Sequence, residues 1–126
     1  MHELMPLTRT LGMEMVSDGR EAVKARLGWT DEVCTSGGIM HGGAIMALAD
    51  STGALCAFHN LPEGASGTST IESKTNFLRA VRAGAVESTS RPLHVGRTVI
   101  VVETDVTDSD GRLVARVTQT QAVLRA

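Results

Sequence analysis

The stretch that decides the fold is residues 41–58, HGGAIMALADSTGALCAF. It holds a single carboxylate, Asp50, among small, apolar and hydroxyl-bearing residues, and Ala, Leu, Met and Ile favour helix. Side chains that can be buried recur at the spacing of one helical face: Ile45, Leu48, Ala49, Thr52, Leu55 and Cys56. Because the opposite face is not polar either, we predict a buried helix that is wrapped on nearly every side. A lone carboxylate there calls for an explanation, since burying a charge is costly.

Strand candidates lie on both sides of this helix in the sequence. A hairpin is predicted before it, from residues 11–16 and the alternating residues 21–29, with a turn signal at residues 17–19. After the helix come four further candidates without another helix: residues 68–80, 84–93, 97–107 and 112–124. Residues 108–111, Asp-Ser-Asp-Gly, indicate a hairpin turn between the last two strands.

The order of these elements predicts an α+β fold in a single domain over residues 1–126. Parallel strands need long crossover connections, which a single helix cannot supply for six strands, so the sheet must be mostly antiparallel. A curved six-stranded sheet wrapped around one long central helix satisfies both conditions. One flank of the helix would still need a cover, which a second subunit could provide.

Composition narrows the classes of function. The net charge is −2 and the chain has one Trp, two Phe and no Tyr, so neither a basic patch nor an aromatic stacking surface points to nucleic acid. The longest apolar run is interrupted by polar residues and glycine, and we predict no membrane span. Two cysteines and no basic-plus-apolar start favour a cytoplasmic protein.

Three features of the central stretch suggest chemistry. Gly42 and Gly43 stand at the helix start, where free backbone N–H groups stabilise developing negative charge and glycine lets a substrate approach closely. Asp50 lies two turns further along and could act as general base for water or as nucleophile. Hydroxyls at Ser51 and Thr52 and at the start of the next strand, including Thr70, could hold the water or orient Asp50.

The spacing of these groups implies two chains. Gly42 and Asp50 are eight residues apart, which is about 12 Å along a helix. Groups that act on one carbonyl must lie within about 3 Å of it. Two antiparallel helices from two subunits could meet this requirement, and a two-fold dimer would then hold two equivalent sites. We therefore expect a composite site at a dimer interface.

These residues resemble the hot-dog-fold acyl-CoA thioesterases. The similarity begins with residues 38–43, GIMHGG, followed by Asp50 eight residues after the first glycine of the HGG motif. Residues 70–79 resemble the family's strand after the helix, and residues 94–97 and 110–115 resemble its last hairpin. The closest type is the phenylacetate-degradation-type branch of the 4-hydroxybenzoyl-CoA thioesterase superfamily.

The resemblance implies hydrolysis of an acyl-CoA thioester by water, with coenzyme A as part of the substrate and no metal or prosthetic group. By similarity, the Gly42 N–H polarises the thioester carbonyl, Asp50 of the partner subunit activates water or attacks, and Thr70 assists that carboxylate. His41 would line the site. Residues expected to contact the CoA portion are Arg97, His94, Arg91, Gly43 and Thr35. The protein would be a dimer or a dimer of dimers.

One departure and two alternatives accompany this interpretation. Thr35 stands six residues before His41, where the family often has Asn or Gln. A hot-dog enoyl-CoA hydratase or dehydratase would pair an acid with a histidine, and His41 is the only one near Asp50 in the motif. A non-catalytic acyl-CoA-binding module would bind the same ligand without releasing thiol.

Overall fold

One long helix and six strands make up the body of the fold. The computed structural model describes residues 1–126, and its elements are α1 (Pro6–Leu11), β1 (Met13–Asp18), β2 (Val23–Gly28), α2 (Gly42–His59), β3 (Gly67–Phe77), β4 (Ala85–Val95), β5 (Val99–Thr107) and β6 (Leu113–Leu124). Short 3₁₀ turns at Asp31–Val33 and Ser36–Gly38 lie in the loop before α2. The predicted α+β fold, one helix against a curved antiparallel sheet, is confirmed.

The strand order is β1-β2-β4-β5-β6-β3, and every neighbouring pair is antiparallel. β3 follows α2 in the sequence but pairs with the last strand, from Gly67 opposite Leu124 to Phe77 opposite Ala115. Consequently α2 connects β2, near one edge of the sheet, to β3 at the other edge, and the helix crosses the concave face. β3 and β1 are the two edge strands.

The sheet covers one face of α2. Every residue predicted for the core face is buried, with Leu48, Ala49, Thr52 and Cys56 fully inaccessible. The opposite face is not covered: Met46 and Phe58 are 40% and 51% exposed, and Asp50 is exposed as well. The single chain therefore does not enclose the helix on nearly every side. It leaves one flank uncovered, as the order of elements predicted, because the sheet is open and lies on one side of the helix only.

A cluster of buried hydroxyls joins α2 to the middle of the sheet. Thr52 on the helix and Ser88, Ser90 and Thr104 on β4 and β5 are all 0% exposed. The Thr52 hydroxyl donates to Ser88 Oγ at 3.1 Å and accepts from Ser90 Oγ at 2.8 Å, and Ser90 contacts the Thr104 hydroxyl at 2.6 Å. Because buried hydroxyls without partners are costly, this mutually satisfied set favours one position of the helix on the sheet.

Most strand bounds differ from the predicted ones by a few residues, and two of the larger differences have local reasons. β1 continues through residues 17 and 18, which were predicted as turn, because Asp18 pairs with Val23 and its carboxylate bonds the His59 ring at 2.5 Å. β3 ends at Phe77 because the next two N–H groups both bond the Val114 carbonyl.

The predicted turn at residues 108–111 is present, and backbone N–H groups that bond the Asp108 carboxylate lower the pKa of that carboxyl. Neither helix has the combination of length and hydropathy that crossing a membrane requires.

We expect Leu48→Ala to lower the free energy of unfolding by about 2–5 kcal/mol, because it leaves a cavity under the middle of α2. Leu48 is 0% exposed, whereas Leu93 is 63% exposed and provides the matched control. Urea titration monitored by circular dichroism measures both variants. An equal, small effect of Leu48→Ala and Leu93→Ala would contradict the described packing.

Candidate active site

The start of α2 presents one unused backbone donor. The His41 ring caps the helix, since its Nδ1 accepts the Gly43 N–H at 2.7 Å. The N–H groups of Ala44 and Ile45 both bond the His41 carbonyl. The Gly42 N–H bonds no group of the chain. Of the two glycine amides predicted as oxyanion donors, Gly42 is thus available and Gly43 is occupied, and the bond to Gly43 assigns the ring proton of neutral His41 to Nε2.

Asp50 is held through one of its two oxygens. Its Oδ1 accepts a short hydrogen bond from Gln119 Nε2 and a longer one, 3.4 Å, from the Thr70 hydroxyl. Thr70 in turn accepts a hydrogen bond from Gln121 Nε2 at 2.7 Å. The predicted association of Thr70 with Asp50 is therefore present within one chain. Oδ2 makes no hydrogen bond to the protein, so it is free to contact water or a substrate.

Gln119 and Gln121 were missed by sequence reasoning. Both lie on β6, where they continue the inward-facing alternation of Ala115 and Val117, and they are 0% and 1% exposed. Amides at two successive core positions of a strand are the signal that could have found them, because buried polar side chains need partners. Their partners became clear only with the pairing of β6 and β3, which places Thr70 opposite Gln121.

Two cavities flank the start of α2. One has a volume of about 400 Å³ and is mostly apolar, with Gly42, Ile45, Phe77 and Leu78 among its lining residues. The Phe77 ring lies so close to Gly42 that a Cβ there would come within 3.1 Å of it. The other cavity, about 280 Å³, lies on the His41 side and is bordered by α1. The apolar walls suit a hydrocarbon or aryl group, and the helix start supplies the polar donor between them.

The remaining predicted residues lie in two places. Thr35 lines the 400 Å³ cavity beside Gly42. Arg91, His94 and Arg97 are exposed around the end of β4 and the start of β5. Because β4 runs antiparallel to β2, this is the end of the sheet near the C-terminus of α2. A single chain therefore does not bring these basic residues to the Gly42 amide.

The cysteines do not provide a ready thiolate. Burial raises the pKa of Cys56 to about 11, and this thiol faces the core. Burial and the neighbouring Asp31 carboxylate also raise the pKa of Cys34. The thiolate is the nucleophilic form of cysteine, so Asp50 is a better placed reactive group than either thiol. No group of three or more His, Cys, Asp or Glu side chains is arranged to hold a metal ion.

One long helix against a six-stranded antiparallel sheet is an arrangement that this chain shares with a solved thioesterase structure. The chain belongs to the thioesterase superfamily, whose profile matches residues 37–115. Thioester hydrolysis in the general sense is the activity that this membership supports.

Individual relatives agree with this assignment. The chain is 30% identical to a proposed esterase of Mycobacterium tuberculosis over 114 residues, 89% of this chain and 81% of that protein. The solved structure of that esterase superposes with a TM-score of 0.92 at 28% identity, covering 97% of this chain and 98% of the other. A thioesterase from Haemophilus influenzae gives a TM-score of 0.88 at 27% identity, covering 94% and 82%.

A relative with a defined substrate is also similar. The 1,4-dihydroxy-2-naphthoyl-CoA hydrolase of Escherichia coli is 33% identical over 87 residues, 69% of this chain and 57% of that enzyme.

The His41 cap provides a test of the helix start. We expect His41→Ala to lower the free energy of unfolding by about 1 kcal/mol, because the Gly43 N–H loses its acceptor. His41→Asn should recover most of the loss, since Asn is among the preferred N-cap residues. Chemical denaturation of the three proteins measures the difference. Equal stability of all three would show that the ring does not cap the helix.

Proposed function

We propose that the protein hydrolyses an acyl-CoA thioester to the free acid and coenzyme A at a site formed by two chains. The observation that carries this proposal is the pair of reactive groups on α2. The Gly42 N–H is without a partner, and Asp50 is anchored through Oδ1 with Oδ2 free. An amide donor for a carbonyl oxygen and a carboxylate for water are what hydrolysis of a thioester requires.

The two groups must come from different chains to act on one carbonyl. Along one helix they are separated by about 12 Å, and both lie on the uninterrupted helix α2, Gly42–His59. Two copies of α2 packed antiparallel would bring Gly42 of the partner subunit beside Asp50. The uncovered face of α2 and the edge strand β3, with Ile71 63% exposed, support this association.

In the proposed reaction, the carbonyl oxygen accepts a hydrogen bond from the Gly42 N–H of the partner subunit, which stabilises the oxyanion as it forms. Asp50 Oδ2 takes a proton from water, and the water oxygen bonds to the carbonyl carbon. The C–S bond then breaks, and coenzyme A leaves as the thiolate, which receives the proton. Attack by Asp50 itself would instead form an anhydride that water hydrolyses, and both routes use the same free oxygen.

The acyl group and the CoA portion of the substrate are proposed to bind at different surfaces. The apolar cavity beside Gly42 suits a short acyl or aryl-acetyl group, and Thr35 at its edge could bond the thioester. Arg91, His94 and Arg97 are proposed to contact the CoA phosphates from the second chain of the pair, since within one chain they lie away from Gly42. The similarity to the E. coli 1,4-dihydroxy-2-naphthoyl-CoA hydrolase also favours a CoA thioester. We further propose that the protein belongs to the phenylacetate-degradation-type branch, assembles as a dimer of dimers and is located in the cytoplasm.

We expect Asp50→Asn to reduce kcat by at least about 10²-fold, because the amide cannot take a proton from water or attack the carbonyl. Asp110→Asn is the matched control, since Asp110 is an exposed carboxylate in the β5–β6 turn. Release of free thiol from a panel of acyl-CoAs measures both. Wild-type turnover by Asp50→Asn would remove Asp50 from the mechanism. Saturable binding without thiol release would favour a binding module, and hydration of an enoyl-CoA would favour a hydratase.

The two-chain arrangement predicts which residue lies against the same residue of the partner chain. Met46 is midway between Gly42 and Asp50 on the uncovered face, so it would lie on the two-fold axis. We expect the protein to have at least twice the 13.3 kDa mass of one chain in solution. Met46→Cys should form a disulfide-linked dimer on mild oxidation, whereas Glu21→Cys, in an exposed turn, should not. A monomeric protein with full activity would contradict the composite site.

A further inference from the structure

We infer that Gln119 is a positioning residue that holds the Asp50 carboxylate, and that Gly53 is required because it admits the Gln119 amide. This inference rests on the proposed function, since it concerns the orientation of the proposed reactive group. Gln119 is fully buried on β6, and its Nε2 bonds Asp50 Oδ1. It does not line either cavity at the helix start, so it acts through Asp50 and not on the substrate.

The Gln119 amide is held in one orientation. A carboxylate offers only acceptors, so the NH₂ end of the amide must face Asp50. The same Nε2 is 3.4 Å from the Thr70 hydroxyl. The other end, Oε1, is buried and bonds nothing in the chain. An amide with one satisfied end and one unsatisfied end gains from its contact with Asp50 and not from packing into the core.

Gly53 forms the wall against which the amide rests. A Cβ at position 53 would overlap the Gln119 Oε1. Gly53 is one turn after Asp50 on α2 and is buried inside a regular helix, where glycine is less favourable than alanine. The close approach of the amide gives the reason for glycine at this position. Any larger residue must push Gln119 away from Asp50.

Gln121 completes the arrangement from the other side. Its Nε2 donates to the Thr70 oxygen at 2.7 Å, which leaves the Thr70 proton to point at Asp50 Oδ1. Gln119 and Thr70, from two different strands, thus both bond the same carboxylate oxygen, and Gln121 supports Thr70. Oδ2 is the oxygen left for chemistry, and the direction in which it points is fixed by Gln119 and Thr70.

The first test removes the amide while keeping its volume. We expect Gln119→Met to lower kcat at least tenfold with KM changed less than twofold, because the substrate contacts are intact and only the carboxylate is misplaced. Its Tm should be equal to or above that of the wild type, since a buried unsatisfied oxygen disappears. Thr118→Val, on the adjacent outward-facing position of β6, is the control and should leave kcat unchanged. A purely structural role would instead lower Tm and leave kcat intact.

The second test separates Gly53 from general packing. Gly53→Ala should lower kcat about as much as Gln119→Met, because the new methyl group displaces the amide. In a Gln119→Ala background the same Gly53→Ala change should have no further effect on kcat, since nothing remains to displace. An undiminished effect of Gly53→Ala in that background would overturn the assignment of Gly53.

Asp50→Asn distinguishes failure of this inference from failure of the proposed function. If Gln119 acts through Asp50, then Gln119→Met should cause no further loss when added to Asp50→Asn. Wild-type kcat for Gln119→Met together with an inactive Asp50→Asn would overturn the positioning role and leave the proposed function standing. Full activity of both variants would instead overturn the proposed function.

Discussion

The central helix is covered on one face only, and the rest of the molecule depends on that. α2 crosses an open sheet from β2 to β3, so its inward face packs against strands and its outward face meets solvent. The outward face of α2 carries Met46, Asp50 and Phe58. The two apolar side chains are unfavourable in water, and the carboxylate would be unfavourable in an apolar core. Interfaces between subunits commonly form where exposed apolar side chains lie beside an edge strand whose outer side has no partner. The central helix of the fold is thus also the element whose outward face has no cover within one chain.

The inward face of α2 contains polar groups as well as apolar ones, and both kinds fix the helix in place. Thr52 bonds two serine hydroxyls of β4 at the centre of the sheet. On the side toward β6, Gln119 reaches past Gly53 to Asp50 and leaves its own Oε1 unsatisfied. A buried acceptor without a partner costs about 1–3 kcal/mol. Stability alone does not favour such a residue at this position, so its contact with the carboxylate is the better explanation of why an amide is there.

Sequence reasoning reached the helix, its buried face and all six strands, because each depends on local periodicity. Leu48 and Thr52 repeat at helical spacing, and Val102 stands in a short run of β-branched residues, which favours a strand. The exposure of Asp50 was not predicted, since the opposite face of α2 is apolar as well and such a helix is typically buried on nearly every side. The contact of Gln119 with Asp50 was out of reach for a different reason. It joins positions 69 residues apart, and the pairing of β3 with β6 is a long-range choice that local patterns do not encode.

The same uncovered face bears on the chemistry. In an isolated chain, Asp50 is exposed and the Gly42 amide is partly exposed. Near the dielectric constant of water, a charge interacts only weakly with a dipole. Under the proposed arrangement, a second copy of α2 would exclude that water from both groups at once. The interaction of the amide with a developing oxyanion would strengthen several-fold as the effective dielectric constant falls from about 80 towards about 20. Subunit association would then do more than bring two residues together, because it would also create the low-polarity surroundings in which a single backbone amide can stabilise a transition state.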